Sequence, residues 1–277
     1  MIKYHMPLIN DALIVTKEIL GEDIEVTVID NFFNDIEEII KMRELIGPVY
    51  TKDQYPGKKK RIYSPIFKRC RLARSPDLPC CADHPHPLTA TEIESAIVDN
   101  PICVEFFNNL TNEIKKLEKY LTVDYKLVHG IYYGHVCTEP QSLNKFQSQP
   151  HIDTTGGERL YSILIYINKD EYCHGGTGFY RHKESGIIRV SNEIDELDKN
   201  RGADILNSER VKIKTPNYIT DTNDVWELVK MIPMKQNRAV IYDANIFHST
   251  YIKDVNLFKD DGGRKTINIF FAYNNRV

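Results

Sequence analysis

The stretch GGRKTINIFFAY at residues 262–273 has the residue pattern of a β-strand. Apolar side chains recur at every second position from Ile267 to Phe271, and successive side chains of a strand point to opposite faces. Similar short runs follow one another from about residue 125 onwards. They cover residues 126–133, 141–149, 160–167, 176–181, 238–242 and 246–252. A series of this kind predicts a barrel or a sandwich of antiparallel strands.

The first part of the chain has a mixed pattern. Residues IEVTVID at 24–30 alternate apolar and polar side chains, which predicts a strand. The segments 34–46 and 91–121 carry apolar residues at steps of three and four, which predicts helices. Residues 47–90 are rich in Pro, Lys and Arg, and we interpret them mainly as loop.

These patterns predict that the whole chain of 277 residues forms one domain. In this interpretation residues 1–121 form an N-terminal α/β support region, and residues 122–277 form the β core. The core contains an insertion at 183–236, which is longer than a hairpin loop requires. It carries a charged segment of helical character at 192–201 and the only tryptophan, Trp226. An insertion of this length is often a lid or a substrate-binding loop.

Composition narrows the class of protein. Hydrophobic residues make up 42% and charged residues 27%, which is typical of a globular chain and argues against disorder. The net charge of −3 favours neither nucleic acid nor an anionic membrane as a partner. No stretch approaches the ~18 apolar residues of a spanning helix, and the apolar run at 12–15 is too short for a signal peptide. The six cysteines form no CxxC pair, so we interpret them as reduced thiols of a cytoplasmic protein.

Three residues in two motifs have the spacing of a metal site. The motif QPHIDTTGG at 149–157 places His151 and Asp153 two residues apart, so that on a strand both side chains reach the same face. The motif YDANIFHST at 242–250 places His248 in an apolar run. Two imidazoles and one carboxylate form the facial triad of non-haem Fe(II) oxygenases, which leaves coordination positions open. The alternative is a chance HxD with a hydrogen-bonded core histidine.

Arg264 opens the strand quoted first, and Thr266 and Asn268 share its face. If that face points into a barrel, beside the strand of His248, the buried guanidinium requires an anionic partner. A dicarboxylic co-substrate that chelates the metal would supply this partner as its far carboxylate, in a bidentate pair. The alternative is a surface arginine next to Lys265.

With these motifs, the sequence resembles the Fe(II)- and 2-oxoglutarate-dependent oxygenases, in particular their prolyl-hydroxylase-like branch. The resemblance covers roughly residues 125–273, and VTVIDNFF at 26–33 is similar to the branch's first strand and helix. The matching pieces occur in the family's order: HID at 151–153, LIYIN at 164–168, GGTGFY at 175–180, His248, and Arg264 with Thr266. The resemblance implies a mainly β fold, with a double-stranded β-helix (jelly-roll) core on which N-terminal α/β elements pack.

The same resemblance implies a role for each matched residue. Three residues would hold Fe(II): His151, Asp153 and His248. Three more would bind the far end of 2-oxoglutarate: Arg264, Thr266 and Tyr166. With O₂ as the second co-substrate, the reaction would release succinate and CO₂. The carboxylate at position 153 favours hydroxylation of an unactivated C–H bond, with desaturation or cyclisation as alternatives.

The identity of the substrate is less defined than that of the co-substrate. A small molecule, an amino acid or a peptide would suit the family. Arg159, near the mouth of the predicted barrel, would meet a substrate carboxylate or form an ordinary surface salt bridge. A second contact to 2-oxoglutarate would come from Tyr133, Asn144 or Phe146. The oligomeric state stays open, with a homodimer as one form.

The segment CCADHPHP contains four residues that zinc can use, Cys80, Cys81, His84 and His86. Adjacent cysteines chelate poorly, and structural zinc sites usually present two separated ligand pairs. We therefore favour a Pro-rich loop over a zinc site.

Residues 58–74 contain eight Lys and Arg residues and no acid, with Tyr63 and Phe67 among them. Basic residues interleaved with aromatic residues can bind a nucleic-acid backbone and stack on bases. A solvated surface is the commoner use of such a run, and a slightly acidic chain favours it. Two alternatives to the hydroxylase therefore remain: a nucleic-acid-directed oxygenase, and a non-catalytic metal-binding module of the cupin type.

Overall fold

The computed structural model describes most of the predicted core in two facing groups of strands. The described residues are 8–21, 24–46, 57–63, 109–121, 123–153, 160–190, 201–253 and 263–275. Among them are ten strands: β1 (Ile14–Ile19), β2 (Glu25–Asp30), β3 (Gly57–Tyr63), β4 (Val123–Val136), β5 (Leu160–Tyr166), β6 (Gly176–His182), β7 (Trp226–Pro233), β8 (Ala239–Asp243), β9 (His248–Tyr251) and β10 (Arg264–Asn275). The helices are α1 (Ile36–Ile46), a helical segment at 109–114 that continues as the 3₁₀ turn Lys115–Tyr120, and α2 (Arg201–Lys212).

The strands form a large and a small antiparallel sheet. The large sheet has the order β1-β2-β8-β5-β10-β4-β3, and the small sheet has the order β7-β6-β9. Of the eight pairs of adjacent strands, five join strands that are not consecutive in sequence. For example, β10 lies between β4 and β5 and pairs antiparallel with both. The protein is therefore mainly antiparallel β with few helices among the described residues, as a sandwich or cupin-like barrel requires.

Strand β5 shows why the large sheet has two apolar faces. Leu164 and Tyr166 point towards the small sheet and pack with Phe179. The alternate residues Ile163 and Ile165 point the other way and belong to a second core. Because both faces are covered, the strand is apolar almost throughout, instead of alternating with polar residues.

Helices cover the outer face of the large sheet. Ile39 and Met42 of α1 pack in the same core as Leu110 and Ile114 of the helical segment. Helix α1 begins where the Asp35 carboxylate accepts hydrogen bonds from the backbone N–H groups of its first turn, at 3.0 and 3.1 Å. The N-terminal residues thus contribute one wall of the main core.

A third, smaller core joins α2 to the small sheet. It contains Trp226 at the start of β7, Tyr180 of β6, Phe247 and Ile205 of α2. The Trp226 and Phe247 rings meet edge to face, with centroids 5.0 Å apart. The predicted insertion therefore contributes a strand and a helix to the structure.

Asp30 connects the end of β2 to the start of β8. Its carboxylate accepts two hydrogen bonds from the Arg238 guanidinium, at 2.6 and 3.0 Å, and one from Lys235 at 2.9 Å. The bonds from Arg238 are the main reason that the pKa of Asp30 lies below its ordinary value of 3.8. The ionised carboxylate is therefore more favourable in the folded protein than in the unfolded chain.

Replacing Asp30 with asparagine is expected to lower the free energy of unfolding by about 1–3 kcal/mol at neutral pH. Because the folded-state pKa is depressed, the stabilisation is fully present above the unfolded value of 3.8 and is lost as pH falls through the folded value. Urea unfolding of both proteins between pH 7 and about 3 tests this. A stability difference that stays constant with pH would contradict the ion-pair explanation.

Several sequence predictions require correction. Residues 141–149 do not form a strand, because Pro140–Ser142 is a 3₁₀ turn and further turns follow. The predicted loop at 47–90 contains β3, which extends the large sheet beside β4. The strand of Arg264 does not lie beside that of His248: β10 belongs to the large sheet and β9 to the small one. Residues 91–108 of the helix predicted at 91–121 lie outside the described residues, and so does the charged segment predicted at 192–201 except its last residue, Arg201, which begins α2.

Two further observations concern membranes and thiols. No helix within the described part of the chain is long and apolar enough to cross a membrane. Cys137 and Cys173 are not part of a disulfide, and burial raises the pKa of Cys173 to about 12, so this thiol stays protonated. The other four cysteines lie outside the described residues.

Candidate metal centre

Long-range backbone pairing brings the three predicted metal ligands together. The His151 N–H donates to the His248 carbonyl at 2.8 Å, and the His248 N–H donates back at 2.9 Å. The Asp153 N–H donates to the carbonyl of Ala244 at 2.8 Å. One ligand atom from each of the three side chains lies within 4.8 Å of the others. The geometry therefore fits one metal ion held by two imidazoles and one carboxylate.

The side chain of His248 has a defined orientation. Its Nδ1 lies 2.9 Å from the carbonyl oxygen of Ile246, which can only accept a hydrogen bond. Nδ1 must therefore carry the proton, and Nε2 keeps its lone pair for a metal. Nε2 lies 3.3 Å from Asp153 Oδ2, while His151 Nε2 lies 3.7 Å from Asp153 Oδ1. Both histidines thus turn the same nitrogen towards one carboxylate.

Burial is unequal around the three ligands. The side chain of His248 is 5% exposed, that of Asp153 is 17% exposed, and that of His151 is 49% exposed. One side of the centre is therefore set in the protein interior, and the side of His151 is open. Solvent and small ligands can reach the centre from the open side.

Tyr242 supports the Asp153 carboxylate from the barrel interior. Its hydroxyl donates towards Asp153 Oδ2 at 3.5 Å. Burial raises the pKa of Tyr242 well above its ordinary value, and the charge of Asp153 adds to this effect. The phenol therefore remains a hydrogen-bond donor to the ligand at all working pH values.

Changing Tyr242 to phenylalanine removes this donor and keeps the ring. Loss of such an outer partner typically weakens metal binding by about 10–100-fold, and we expect a loss in this range for Fe(II). Competition with a chromophoric chelator measures it. Phe179, which packs edge to face on Tyr242, offers a matched control, because Phe179→Leu changes the packing but removes no hydrogen bond. Wild-type metal affinity in Tyr242→Phe would show that the hydroxyl does not support the ligand and that Tyr242 acts only through the packing of its ring.

Helix α2 holds the HxD segment from outside. A Cβ added at Gly202 would lie 2.9 Å from the Cδ1 atom of Ile152, the residue between the two ligands, so a larger residue at 202 would require this side chain to shift. Two residues before His151, the Gln149 amide donates to the Leu206 carbonyl at 3.2 Å. The insertion therefore positions the metal-binding segment through α2.

Arg264 is buried between the two sheets. Its side chain donates to Thr177 Oγ1 at 2.9 Å and to Thr250 Oγ1 at 3.5 Å, and its guanidinium lies 5.2 Å from the centre of the Tyr166 ring. The Tyr166 hydroxyl lies 2.7 Å from Thr177 Oγ1. Thr250 and His248 are two residues apart on β9, about 7 Å along the strand, and their side chains share one face. Arg264 therefore contacts the same strand that carries a metal ligand.

The polar groups around Arg264 are incompletely satisfied. Arg264 is 3% exposed, and no carboxylate of the described residues forms an ion pair with it. Arg264 Nε and Thr266 Oγ1 are buried and make no hydrogen bond, and neither does Asn268 Oδ1 on the same strand. A buried cation and neighbouring orphan groups are costly unless an anion joins them. Arg264 and these polar groups therefore fit an anionic group such as a carboxylate.

Some residues around Arg264 and Asp153 were not predicted from the sequence, and one predicted co-substrate contact lies elsewhere. The side chains of Thr177, Thr250 and Tyr242 line the interior. All three lie inside quoted motifs, GGTGFY at 175–180 and YDANIFHST at 242–250, but the motifs did not indicate their contacts. Tyr133 is wrong as a co-substrate contact, because it packs under α1 and its hydroxyl points to the Ile39 carbonyl at 3.5 Å.

Asn144 and Phe146 are also removed from Arg264. The Asn144 side chain accepts from the Gln147 N–H in an exposed turn, and the Arg210 guanidinium covers the ring of Phe146. Arg159, the segment with Cys80 and His86, and most of the basic run 58–74 lie outside the described residues. Their predicted roles stay predictions.

Comparison with solved structures gives likenesses at low identity. HygX from Streptomyces hygroscopicus, solved with nickel and 2-oxoglutarate bound, matches with a TM-score of 0.41 and 10% identity, over 89% of this chain and 82% of HygX. EvdO2 from Micromonospora carbonacea var. aurantiaca, complexed with 2-oxoglutarate, has a TM-score of 0.36 and 10% identity, over 90% of this chain and 86% of its own. AviO1 from Streptomyces viridochromogenes Tue57 has a TM-score of 0.34 and 13% identity, and the match spans 62% of this chain and 61% of AviO1.

Comparison with sequences points to a family without an assigned activity. No curated protein matches the chain. The sequence profile of DUF6445, described as a family of unknown function, matches residues 95–271. This range covers more than half of the chain, and it includes all three candidate metal ligands and Arg264. The chain therefore belongs to the DUF6445 family.

Proposed function

We propose that the protein is an Fe(II)- and 2-oxoglutarate-dependent dioxygenase that hydroxylates an unactivated C–H bond. The observation that carries this proposal is the pairing of a two-histidine, one-carboxylate cluster with a buried guanidinium that forms no ion pair with any carboxylate of the described residues. The cluster and the guanidinium meet one face of β9 at His248 and Thr250, which lie about 7 Å apart along the strand, and this spacing suits a five-carbon diacid that chelates a metal at one end. A lone metal cluster would not require the buried arginine.

The strand order supports a double-stranded β-helix. Strands β4, β10, β5 and β8 are consecutive in the large sheet, and the bridge at His151 is followed by β9, β6 and β7 in the facing layer. From β4 onwards, with the bridge at His151 counted, successive strands of the chain alternate between the two layers, except that β6 and β7 both belong to the small sheet. This is the arrangement expected for the core of the oxygenase superfamily, including its prolyl-hydroxylase-like branch.

Each residue of the site has a distinct role in this proposal. The Nε2 atoms of His151 and His248, with the Asp153 carboxylate, would hold Fe(II) and leave positions open for ligands. Arg264, with the hydroxyls near it, would hold the far carboxylate of 2-oxoglutarate. When bound, iron and 2-oxoglutarate supply the oxidising chemistry, in which O₂ is consumed and succinate and CO₂ are released.

The rest of the interior would exclude water from the co-substrate. Phe179, Tyr166 and Tyr242 are fully or almost fully buried around it. His151 is the exposed ligand, so the substrate's C–H bond would approach from its side. We propose a small molecule, an amino acid or a peptide as substrate. Because the side of Arg264 is buried, the exposed side at His151 would determine the size of substrate that can bind.

Turnover of 2-oxoglutarate tests the proposal without a known substrate. Many such sites decarboxylate 2-oxoglutarate slowly on their own, so the purified protein with Fe(II), ascorbate and O₂ is expected to form succinate. His151→Ala and Arg264→Ala should each abolish succinate formation, whereas His174→Ala, an exposed histidine on another loop, should not change it. Metal binding without succinate, with or without a panel of amino acids and peptides, would instead support a non-catalytic cupin-like module.

A further inference from the structure

A second group of potential metal ligands lies outside the candidate metal centre. His182 ends β6, Glu184 follows two residues later, and Glu209 lies in the third turn of α2. One ligand atom from each residue lies within 4.8 Å of the others. The side chains of His182 and Glu209 are only 5% and 3% exposed, whereas Glu184 is at the surface. Ionisable groups are seldom buried to this degree unless a partner compensates them.

The imidazole of His182 is oriented towards the cluster. Its Nδ1 lies 2.9 Å from the Ser185 hydroxyl, and its ring packs against Trp226 with centroids 5.1 Å apart. Its Nε2 lies 3.5 Å from Glu209 Oε1. In the tautomer in which Nδ1–H donates to the Ser185 hydroxyl, Nε2 presents its lone pair to the cluster, which is the usual arrangement of a metal-bound histidine.

Glu209 has an oxygen without a partner. Its Oε1 accepts a hydrogen bond from Lys212 at 2.7 Å, whereas Oε2 is buried and makes no hydrogen bond. A buried carboxylate oxygen without a partner is costly and calls for an explanation. The Lys212 side chain is 56% exposed, so its ammonium can leave the carboxylate without disturbing the core. Another cation can therefore take the place of the Lys212 ammonium beside the Glu209 carboxylate.

A cavity reaches the same carboxylate. It has a volume of about 420 Å³, lies between α2 and residues 213–226, and is lined by Glu209, Lys212 and Trp226 among others. A cation could enter through it and complete its coordination with water. One imidazole and two carboxylates are donors that divalent transition metals such as Zn²⁺ accept.

We propose that His182, Glu184 and Glu209 form a second divalent-metal site, for which Zn²⁺ is a suitable ion. The site is independent of the proposed oxygenase reaction. A metal there would tie β6 to α2, the helix that packs on Ile152 through Gly202. Its effect would therefore be to stabilise the helix that supports the HxD segment.

Zinc titration in a protein without the first centre tests this site. The background carries His151→Ala and His248→Ala, and it is compared with the same protein that also carries Glu209→Gln. The background should bind one more equivalent of Zn²⁺ than the Glu209→Gln protein, as measured with a competing chromophoric chelator. Zn²⁺ should also raise the unfolding temperature of the background and not that of the Glu209→Gln protein.

Two further variants guard against a folding artefact. Glu184 is exposed, so Glu184→Gln should keep the fold by circular dichroism and weaken Zn²⁺ binding by at least about tenfold. Lys212→Met removes the competing ammonium and should tighten binding. Both compared proteins keep the segment with Cys80 and His86, so zinc bound there cancels. Equal zinc stoichiometry and equal zinc-induced stabilisation with and without Glu209→Gln would overturn the proposal and leave a His182–Glu209–Lys212 hydrogen-bond network only.

Discussion

Replacing His248 with alanine is expected to weaken Fe(II) binding at least about 100-fold, since loss of an outer partner of a ligand already costs about 10–100-fold. His248 is the most buried of the three ligands, and its Nδ1–H is fixed by the Ile246 carbonyl. Apart from His151, which is already a ligand, no imidazole of the described residues lies within the cluster to replace it. Anaerobic equilibrium dialysis of Fe(II) against the wild-type protein and the variant measures the change.

His174→Ala is the matched control, because this histidine is exposed and lies outside both clusters. Asp153→Asn adds a second test, since it keeps the size of the side chain and removes its charge. We expect it to weaken Fe(II) binding nearly as much as His248→Ala does. Wild-type Fe(II) affinity in either variant would rule out this cluster as the metal centre.

Replacing Arg264 with methionine is expected to raise the Kd of 2-oxoglutarate by roughly 30- to 5,000-fold, because truncating one partner of a buried charge pair costs about 2–5 kcal/mol. The methionine fills the same space without a charge. Fe(II) binding should be unchanged, since Arg264 is not a member of the ligand cluster. Titration of the Fe(II)-loaded protein with 2-oxoglutarate under anaerobic conditions gives the Kd.

A shorter acid identifies which end of the co-substrate Arg264 contacts. 2-Oxobutanoate has the chelating 2-oxo acid group but no far carboxylate. The wild-type protein should strongly prefer 2-oxoglutarate over 2-oxobutanoate, and Arg264→Met should lose this preference. Arg181→Met is the control, because Arg181 pairs with Glu227 at the surface end of β6. A preference for the diacid that survives in Arg264→Met would mean that another group binds the far carboxylate.

The local parts of the fold were predictable because they depend on residue periodicity. The strands β5, β6, β8 and β10 lie where short apolar or alternating runs predict them. Helix α1 lies where apolar residues recur at steps of three and four. Strand β7 was missed because WELVKMIP mixes charged and apolar residues without strict alternation, as half-exposed strands can. The strand predicted at 141–149 was wrong because the composition of this segment does not distinguish a strand from the turns that it forms at 145–148.

The site was only partly predictable. Short motifs in the sequence indicate which residues could be metal ligands, whereas the contact between those residues depends on long-range pairing of strands. The HxD spacing and an apolar run around His248 indicated the ligands, and the structure brings them together through a bridge between distant residues. Which strand lies beside β10 depends on long-range pairing, and the expected neighbour was wrong. Thr177 and Thr250 were missed for the same reason, because each meets Arg264 only across the gap between the sheets.

Optical titration under anaerobic conditions tests the central claim most directly. Chelation of 2-oxoglutarate to Fe(II) in a two-histidine, one-carboxylate site is expected to give a weak visible charge-transfer band. The band should require both Fe(II) and 2-oxoglutarate, saturate at one of each per chain, and be absent when Zn²⁺ replaces Fe(II). An iron-loaded protein that shows no such band at saturating 2-oxoglutarate would contradict the account.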